Sequence, residues 1–175
     1  MTQRHITIVG AGQSGLQLGI GLLDAGYHVT TISTRTPEEI HEGKVASSQC
    51  IFHNALEHER ALGLDFWPDA PTVDGISFTI PHPELPGEKA ISWASRLDNH
   101  AKSIDQRVKF PRFMEEFTAR GGELVFEDAG VAELEKYTQN SDLVIVAAGK
   151  GEIAQLFTRD AGRSTYDAPQ RALGL

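Results

Sequence analysis

The stretch HITIVGAGQSGLQLGIGLLDAGYHVTTISTRT, residues 5–36, decides the fold of this chain. It contains a short apolar run, three closely spaced glycines, a helix-like segment and a second apolar run. Gly10, Gly12 and Gly15 follow the spacing G-x-G-x-x-G, which is typical of a tight turn between a strand and the N-terminus of a helix. In this context the motif predicts a strand–helix–strand unit that binds the diphosphate of a dinucleotide at its first turn.

The end of the second apolar run lacks the acidic residue that such units normally use to bind the adenosine ribose. Ser33, Thr34 and Arg35 occupy this place. Ser33 or Thr34 offers an uncharged acceptor, which binds a hydroxyl more weakly than a carboxylate does. Arg35 suggests instead a contact with the 2′-phosphate of NADP, or else is a solvated loop residue. The local sequence leaves these alternatives open.

Composition and charge indicate a globular domain without a basic surface. The 175 residues include 16 Lys and Arg against 24 Asp and Glu, a net charge of −8, which argues against nucleic-acid binding. The single cysteine, Cys50, permits no disulfide within the chain and fits a cytoplasmic location. We expect no signal peptide and no membrane contact, because no apolar run approaches the roughly 18 residues of a span. We also expect no metal site, because the histidines and Cys50 lack ligand spacing.

Beyond the opening unit, the pattern predicts a loop, a helix and an antiparallel hairpin. Residues 34–44 are polar and predict a loop, and the following helix is expected to be capped by Ser47 or Ser48. Residues 75–81 and 89–95 are strand-like and are joined by a turn rich in proline and glycine. They predict a hairpin within an excursion at about 73–97.

The last third of the chain returns to an α/β pattern. A helix beginning at Gln106 carries Pro111 near its start, where proline is tolerated. A strand, a short helix and a third apolar strand ending at Gly149 are expected to follow. A nicotinamide-binding domain usually continues its strand–helix repeat without such an excursion, whereas the FAD-binding domains of flavoprotein hydroxylases have this order of elements.

Several stretches across nearly the whole chain resemble the N-terminal FAD-binding part of the styrene/indole monooxygenase family, the oxygenase component of two-component FAD-dependent monooxygenases. The stretches are ITIVGAGQSGLQLG, VTTISTRTPEEI, SSQCIFHNALEHERALGL, QRVKFPRFMEEFTARGGELVFED, SDLVIVAAGKG and APQRAL. The glycine motif is generic, whereas the FHNA stretch and the DQR…RGG stretch are more specific to the family.

The resemblance implies a Rossmann-like FAD-binding domain, a parallel sheet with flanking helices, whose antiparallel hairpin begins a substrate layer. Residues 1–175 are then expected to be an N-terminal fragment of a longer flavoprotein monooxygenase, inactive on its own. The family uses reduced FAD and O₂ to epoxidise or hydroxylate a small aromatic alkene or indole. The resemblance further implies a separate flavin reductase that supplies reduced FAD, and it suggests a homodimer.

The resemblance also implies FAD-binding residues, but no catalytic side chain. Arg107 and the neighbouring Gln106 are expected to reach the phosphate–ribose region, and Gln49 to lie near the isoalloxazine ring. The alternative for Arg107 is an ion pair with Asp105 or Glu115. The expected cofactor-binding set is Gly10, Gly12, Gln13, Ser14, Gly15, Ser33, Thr34, Arg35, Gln49, Gln106, Arg107 and Gly149.

Two alternatives from other functional classes stay open at the level of sequence. The chain is consistent with a non-catalytic dinucleotide-binding module that keeps the fold without an enzyme's closed pocket. It is also consistent with an NADP-binding reductase domain that uses Arg35. A ribose site without a carboxylate suits the monooxygenase interpretation, because reduced FAD that comes from a reductase has to arrive and leave.

Overall fold

The computed structural model describes residues 3–45, 49–149, 153, 156–158 and 160–165. Within these residues, seven strands form a four-stranded parallel sheet and a separate three-stranded antiparallel sheet. The architecture is a mixed α/β fold with a parallel sheet and flanking helices, and the prediction of fold class is confirmed.

The helices and strands are labelled in chain order. They are β1 His5–Val9, α1 Gln13–Asp24, β2 His28–Ser33, α2 Pro37–His41, β3 Cys50–Ile51, α3 His53–Ala61, β4 Thr72–Pro81, β5 Lys89–Ser103, α4 Gln106–Ala119, β6 Glu123–Phe126, α5 Val131–Asn140 and β7 Leu143–Val146. The longest helix, α4, has 14 residues. No helix in the described ranges has the length and apolar character needed to cross a membrane.

The order of strands in the parallel sheet places β1 in its interior. The order is β6-β2-β1-β7, and β1 pairs in parallel with both β2 and β7. The chain passes from β1 to one side of the sheet and later returns to β7 on the other side. A crevice opens where the order of strands reverses in this way, beyond their carboxyl ends, and such crevices bind ligands in open α/β sheets.

One face of the sheet packs against α1 and α4. Because side chains alternate along a strand, Ile6 and Ile8 of β1 share this face. They join Leu16 and Ile20 of α1 and Phe117 of α4 in one hydrophobic core, and all five side chains are at least 95% buried. Burial of each such side chain contributes about 1.5–3 kcal/mol. This core fixes the start of α1 against the end of β1.

The opposite face packs against α5. Val9 and Ile32 are buried there, and Leu134 and Tyr137 of α5 pack against them. Helices therefore cover both faces of the parallel sheet. The arrangement explains why polar residues of these strands, such as Thr7, Thr30 and Thr31, are buried along with the apolar ones, since strands covered on both faces have no solvent-exposed side.

Two predicted boundaries early in the chain are wrong. Residues 34–44 were expected to be a loop, but Pro37–His41 form the short helix α2, which Thr36 begins with a capping box to Glu39. The next helix, α3, begins at His53 with Phe52 as N-cap, not at Ser47 or Ser48. The strand β3 precedes it, and Ser47 and Ser48 lie outside the described residues.

The placement of Pro111 also differs from the prediction. Pro111 is the sixth residue of α4 and lies inside the helix, not in its first turn. Proline has no N–H, so the carbonyl of Arg107, four residues earlier, loses its helical partner. The Nδ1 atom of His41 in α2 lies 3.3 Å from this carbonyl oxygen. A hydrogen bond from α2 therefore compensates for the proline.

The predicted hairpin exists and is longer than expected. Its two strands, β4 and β5, pair in antiparallel fashion, and β5 continues to Ser103, where it pairs with β3. Buried Lys102 anchors the base of the hairpin, because its Nζ donates to Asp65 at 2.8 Å and to the carbonyl of Trp67 at 2.9 Å. The final strand, β7, is shorter than expected and ends at Val146.

Candidate functional site

A cavity of about 970 Å³ lies at the carboxyl ends of the four parallel strands. Every strand of the sheet contributes residues that follow its last paired position. The lining includes Gly10 and Gly12 after β1, residues 33–35 at the end of β2, residues 127–130 after β6 and residues 147–149 after β7. The position is the crevice that the order of strands predicts.

The turn after β1 requires glycine at its first and third motif positions. Gly10 has φ +120°, and a Cβ atom there would lie 2.7 Å from the carbonyl oxygen of Ala147. A Cβ atom on Gly15 would lie 1.8 Å from the carbonyl oxygen of Gly10. These contacts hold the end of β1, the end of β7 and the start of α1 together, as the motif predicts.

Gly12 and Gly149 leave open space in the same cavity. A Cβ atom on either glycine would have no heavy-atom neighbour within 4 Å. Gly12 is also the N-cap of α1, with a β-region backbone and no side chain that caps the helix. The positive end of the helix dipole therefore lies at the cavity, where backbone N–H groups can meet an anion. The space and its electrostatics suit a diphosphate.

The residues at the end of β2 line the cavity, but the hydroxyl of Ser33 is engaged locally. Ser33 Oγ donates to the carbonyl of Arg35 at 2.7 Å and accepts from the Arg35 N–H at 3.2 Å. Ser33 is buried, whereas Thr34 and Arg35 are exposed. Of the three residues expected at the ribose, Thr34 and Arg35 are therefore the ones whose side chains face solvent.

Carboxylates after β6 line the cavity and were not in the expected set. Glu127 and Asp128 follow the last residue of β6, and the hydroxyl of Tyr137 in α5 donates to Glu127 Oε1. Burial, together with this hydrogen bond, raises the pKa of Tyr137 well above its usual value, so its hydroxyl remains a donor. The sequence signal was an acidic pair directly after a strand, which the carboxyl-edge rule for parallel sheets would have identified.

Arg107 and Gln106 lie beside the cavity and not in its lining. They line a smaller neighbouring pocket that shares Arg35 with the main cavity. The guanidinium Nη2 of Arg107 lies 2.6 Å from Oδ2 of Asp105. Hydrogen bonds from Arg107 lower the pKa of Asp105 below its usual value. The structure thus shows the ion pair with Asp105 that the sequence offered as the alternative for Arg107.

The side chain of Gln13 takes part in a network beneath the glycine turn. Its amide donates to Glu59 Oε1 at 2.7 Å and to Gln17 at 3.0 Å. Glu59 of α3 also accepts from Lys109 of α4, and both charged side chains are almost fully buried. This network could not be predicted from the sequence, because its members lie on three helices far apart in the chain.

The other expected residues differ in how they relate to the cavity. Ser14 and Gly15 lie in the first turn of α1 behind its lining. Gln49 lines neither of the two cavities described above, and its carbonyl accepts from the Ile104 N–H at 3.2 Å. Among the residues that the structure describes, no cluster of His, Cys, Asp or Glu could hold a metal ion. The arrangement offers backbone N–H groups, carboxylates and one guanidinium for binding a polar ligand.

Comparison with solved structures shows the same fold in flavin-dependent enzymes. The flavin-dependent halogenase CmlS matches with a TM-score of 0.57 and 16% identity, over 76% of this chain and 25% of that one. The flavin-dependent brominase Bmp2 matches with a TM-score of 0.54 and 18% identity, over 71% of this chain and 29% of that one. At these identities the likeness establishes the fold.

Sequence comparison identifies more specific relatives. A family model described as "Styrene monooxygenase A putative substrate binding domain" matches residues 149–175. Styrene monooxygenase StyA of Pseudomonas fluorescens is 28% identical over 173 residues, 98% of this chain, and StyA of a Pseudomonas sp. has the same identity over the same length. The chain spans 40% of the length of these relatives. The resemblance seen in the sequence is therefore confirmed, and the chain is a relative of one part of styrene monooxygenase.

Proposed function

We propose that this chain is the FAD-binding part of a flavin-dependent monooxygenase of the styrene monooxygenase type. The observation that carries the proposal is the cavity at the carboxyl edge of the parallel sheet. Gly12 and Gly149 line it, and a Cβ atom on either glycine would have no heavy-atom neighbour within 4 Å. The two flavin-dependent enzymes with the same fold support FAD as the ligand. The substrate is then a small aromatic alkene or indole, as the similarity to styrene monooxygenase suggests.

The glycine turn holds the diphosphate in this proposal. Gly12 leaves space for its oxygens, and the N-terminus of α1, which begins with Gln13, Ser14 and Gly15, supplies N–H groups and a positive dipole end. Gly149, three residues after the end of β7, allows the cofactor to pass close to the backbone.

The adenosine end lies over the end of β2. Thr34 and Arg35 are the exposed residues there, and buried Ser33 lines the cavity beside them. Gln106 and Arg107 contact the cofactor only where it extends into the neighbouring pocket that they share with Arg35. We also propose that Gln49 lies near the isoalloxazine ring. This contact requires the additional part of the longer enzyme, which would complete the site.

The protein's share of the chemistry is binding, orientation and exclusion of water. Reduced FAD, when bound, supplies the electrons with which O₂ oxygenates the substrate. The described residues hold the cofactor's phosphates and sugar at the edge of the sheet. They leave the placement of the substrate and the shielding of the reacting ring from water to a second layer.

The hairpin formed by β4 and β5 begins that second layer in our proposal. Residues of one face, among them Phe78 and Trp93, are 42% and 50% exposed. The relatives are more than twice as long as this chain, and we assign the cover of this face to their additional substrate-binding layer. The 175 residues alone are then expected to bind FAD without oxygenating styrene or indole.

The reaction also needs a partner that reduces FAD. We propose a separate flavin reductase, because two-component enzymes of this type take reduced FAD from solution, and a homodimer by the same resemblance. The single Cys50, which permits no disulfide within the chain, supports a cytoplasmic location.

Titration with three cofactors tests the proposed function. Fluorescence titration of the purified chain with FAD, with reduced FAD under anaerobic conditions and with NADPH measures which of them binds. The proposal predicts saturable binding of both forms of FAD and much weaker binding of NADPH. Tight binding of NADPH without FAD would establish the reductase alternative, for which the exposed Arg35 in the cavity is the supporting feature. No binding of any cofactor would contradict the proposal.

A further inference from the structure

The absence of an acid at the end of β2 leaves the ribose without its usual acceptor. A carboxylate at this place normally accepts hydrogen bonds from the ribose hydroxyls. Ser33 cannot fully replace it, because its buried hydroxyl donates to the Arg35 carbonyl at 2.7 Å. Another carboxylate lies at the end of β6, the strand that pairs with β2.

Glu127 follows the end of β6, the strand next to β2. The register pairs Ser33 with Phe126, and the N–H of Glu127 then donates to the carbonyl of Ser33 at 3.0 Å. Glu127 therefore stands beside the end of β2, level with Thr34. Its side chain is exposed and lines the same cavity as Gly10 and Gly12.

A hydrogen bond from α5 orients the carboxylate of Glu127. The hydroxyl of Tyr137 donates to its Oε1 atom. Tyr137 itself packs against the buried residues Val9 and Ile32 on that face of the sheet. The ring thus links the carboxylate to the rigid core, and the second oxygen, Oε2, has no hydrogen-bond partner among the residues that the structure describes.

We propose that Glu127 supplies from β6 the ribose acceptor that β2 lacks, with Tyr137 as the residue that positions its carboxylate. The inference rests on the proposed function, because it assigns an atom of the protein to the ribose of the bound dinucleotide. A carboxylate in this position recognises the 2′- and 3′-hydroxyls and is indifferent to the flavin. Any ligand that contains adenosine diphosphate can therefore be used to measure the contact between Glu127 and the ribose.

Comparison of ADP with 2′-deoxy-ADP isolates the contact with the ribose. Calorimetric titration of the whole chain is expected to show ADP binding about tenfold more tightly than 2′-deoxy-ADP, the value of one hydrogen bond to a charged acceptor. In Glu127→Gln the ratio is expected to fall towards one through weaker binding of ADP. In Asp128→Asn, a matched loss of charge one residue away in the same cavity, the ratio is expected to stay at the wild-type value.

Three results distinguish failure of this inference from failure of the proposed function. A wild-type ratio near one, with both nucleotides bound, overturns the role of Glu127 and leaves the dinucleotide site intact. Equal effects of Glu127→Gln and Asp128→Asn also overturn it, because they indicate only the general charge of the cavity. No binding of ADP or FAD to the wild type overturns the inference and the proposed function together.

The role of Tyr137 has its own test. Tyr137→Phe retains the packed ring and removes only the hydrogen bond to Glu127. The ratio of the two dissociation constants is expected to fall part of the way towards that of Glu127→Gln, with an unchanged melting temperature. An unchanged ratio in Tyr137→Phe would overturn the positioning role.

Discussion

Glu59 and Lys109 form an ion pair in which 2% and 1% of the respective side chains are exposed. The pair joins α3 to α4, and Glu59 also accepts from Gln13 at the start of α1. Removal of one partner from such a pair leaves an uncompensated buried charge, whereas removal of both leaves none. The network therefore links the packing of three helices to the glycine turn.

Lys109→Met is expected to be strongly destabilising. It leaves the Glu59 carboxylate buried without its cation, which costs about 3–5 kcal/mol of unfolding free energy. Urea denaturation measures this cost, and Lys109→Met combined with Glu59→Leu is expected to recover part of it. Lys136→Met is the matched control, because Lys136 is 69% exposed and its pair is worth about 0–1 kcal/mol. Equal costs for the two lysine variants would contradict the interpretation.

His41→Ala is expected to cost stability only while Pro111 is present. The imidazole donates to the Arg107 carbonyl that Pro111 leaves without a helical partner, and one such bond contributes about 0.5–1.5 kcal/mol. In a Pro111→Ala background the new N–H takes the carbonyl, so the cost of His41→Ala should approach zero. A double-mutant cycle by urea denaturation measures the difference. The same cost in both backgrounds would show that the hydrogen bond does not compensate for the proline.

Asp65 is expected to make the free energy of unfolding depend on pH in the acidic range. The hydrogen bond from Lys102 is the largest cause that lowers the pKa of Asp65 below its usual value. A lowered carboxyl pKa stabilises the fold at pH values above the unfolded pKa of about 3.9, and this contribution is lost as pH falls through the folded pKa. Asp65→Asn should therefore reduce stability at neutral pH and make it less sensitive to acid.

Unfolding by urea at several pH values measures the effect of Asp65→Asn. The expected loss near neutral pH is about 1.5–3 kcal/mol, the value of a hydrogen bond between charged groups. Asp74→Asn is the control, because Asp74 is 62% exposed and its partner His100 is 70% exposed. An unchanged pH dependence in Asp65→Asn would show that the pair with Lys102 does not hold the base of the hairpin.

The hairpin is expected to present an apolar surface in the isolated chain. Phe78 pairs with Trp93 and Ile80 with Ile91 across the two strands, so all four side chains share one exposed face. Contiguous exposed apolar surface of this kind marks an interaction site. Phe78→Ser combined with Trp93→Ser should reduce binding of an apolar fluorescent dye, whereas Thr79→Ala combined with Ser92→Ala on the opposite face should not. Equal dye binding by both variants would contradict the assignment.

The parallel sheet could be predicted from the sequence because its signals are local. Gly10 and Gly15 need a particular backbone, and the apolar runs around them need cover on both faces. The helix α2 could not be predicted in the same way, because a single capping box at Thr36 competes with a polar composition typical of loops. Local signals of that strength decide a structure only when tertiary contacts, here with α4, support them.

The candidate site could be predicted only in part, for a similar reason. The glycine turn is contiguous in sequence and was identified, whereas Glu127 reaches the end of β2 only through the pairing of β2 with β6. The same holds for the pair of Glu59 with Lys109, which are 50 residues apart. Such contacts depend on which strands and helices become neighbours, and periodicity does not specify this.

Binding of FAD by Gly12→Ala tests the central claim most directly. Gly12 has φ −87°, and a Cβ atom there would have no heavy-atom neighbour within 4 Å, so alanine fits without a clash and should lower the melting temperature only slightly, as alanine does at an N-cap. The methyl group would occupy the space assigned to the diphosphate. We predict that the wild type binds FAD and that Gly12→Ala binds it at least about tenfold more weakly. Equal affinities of the two folded proteins, or a wild type that does not bind FAD, would contradict the account.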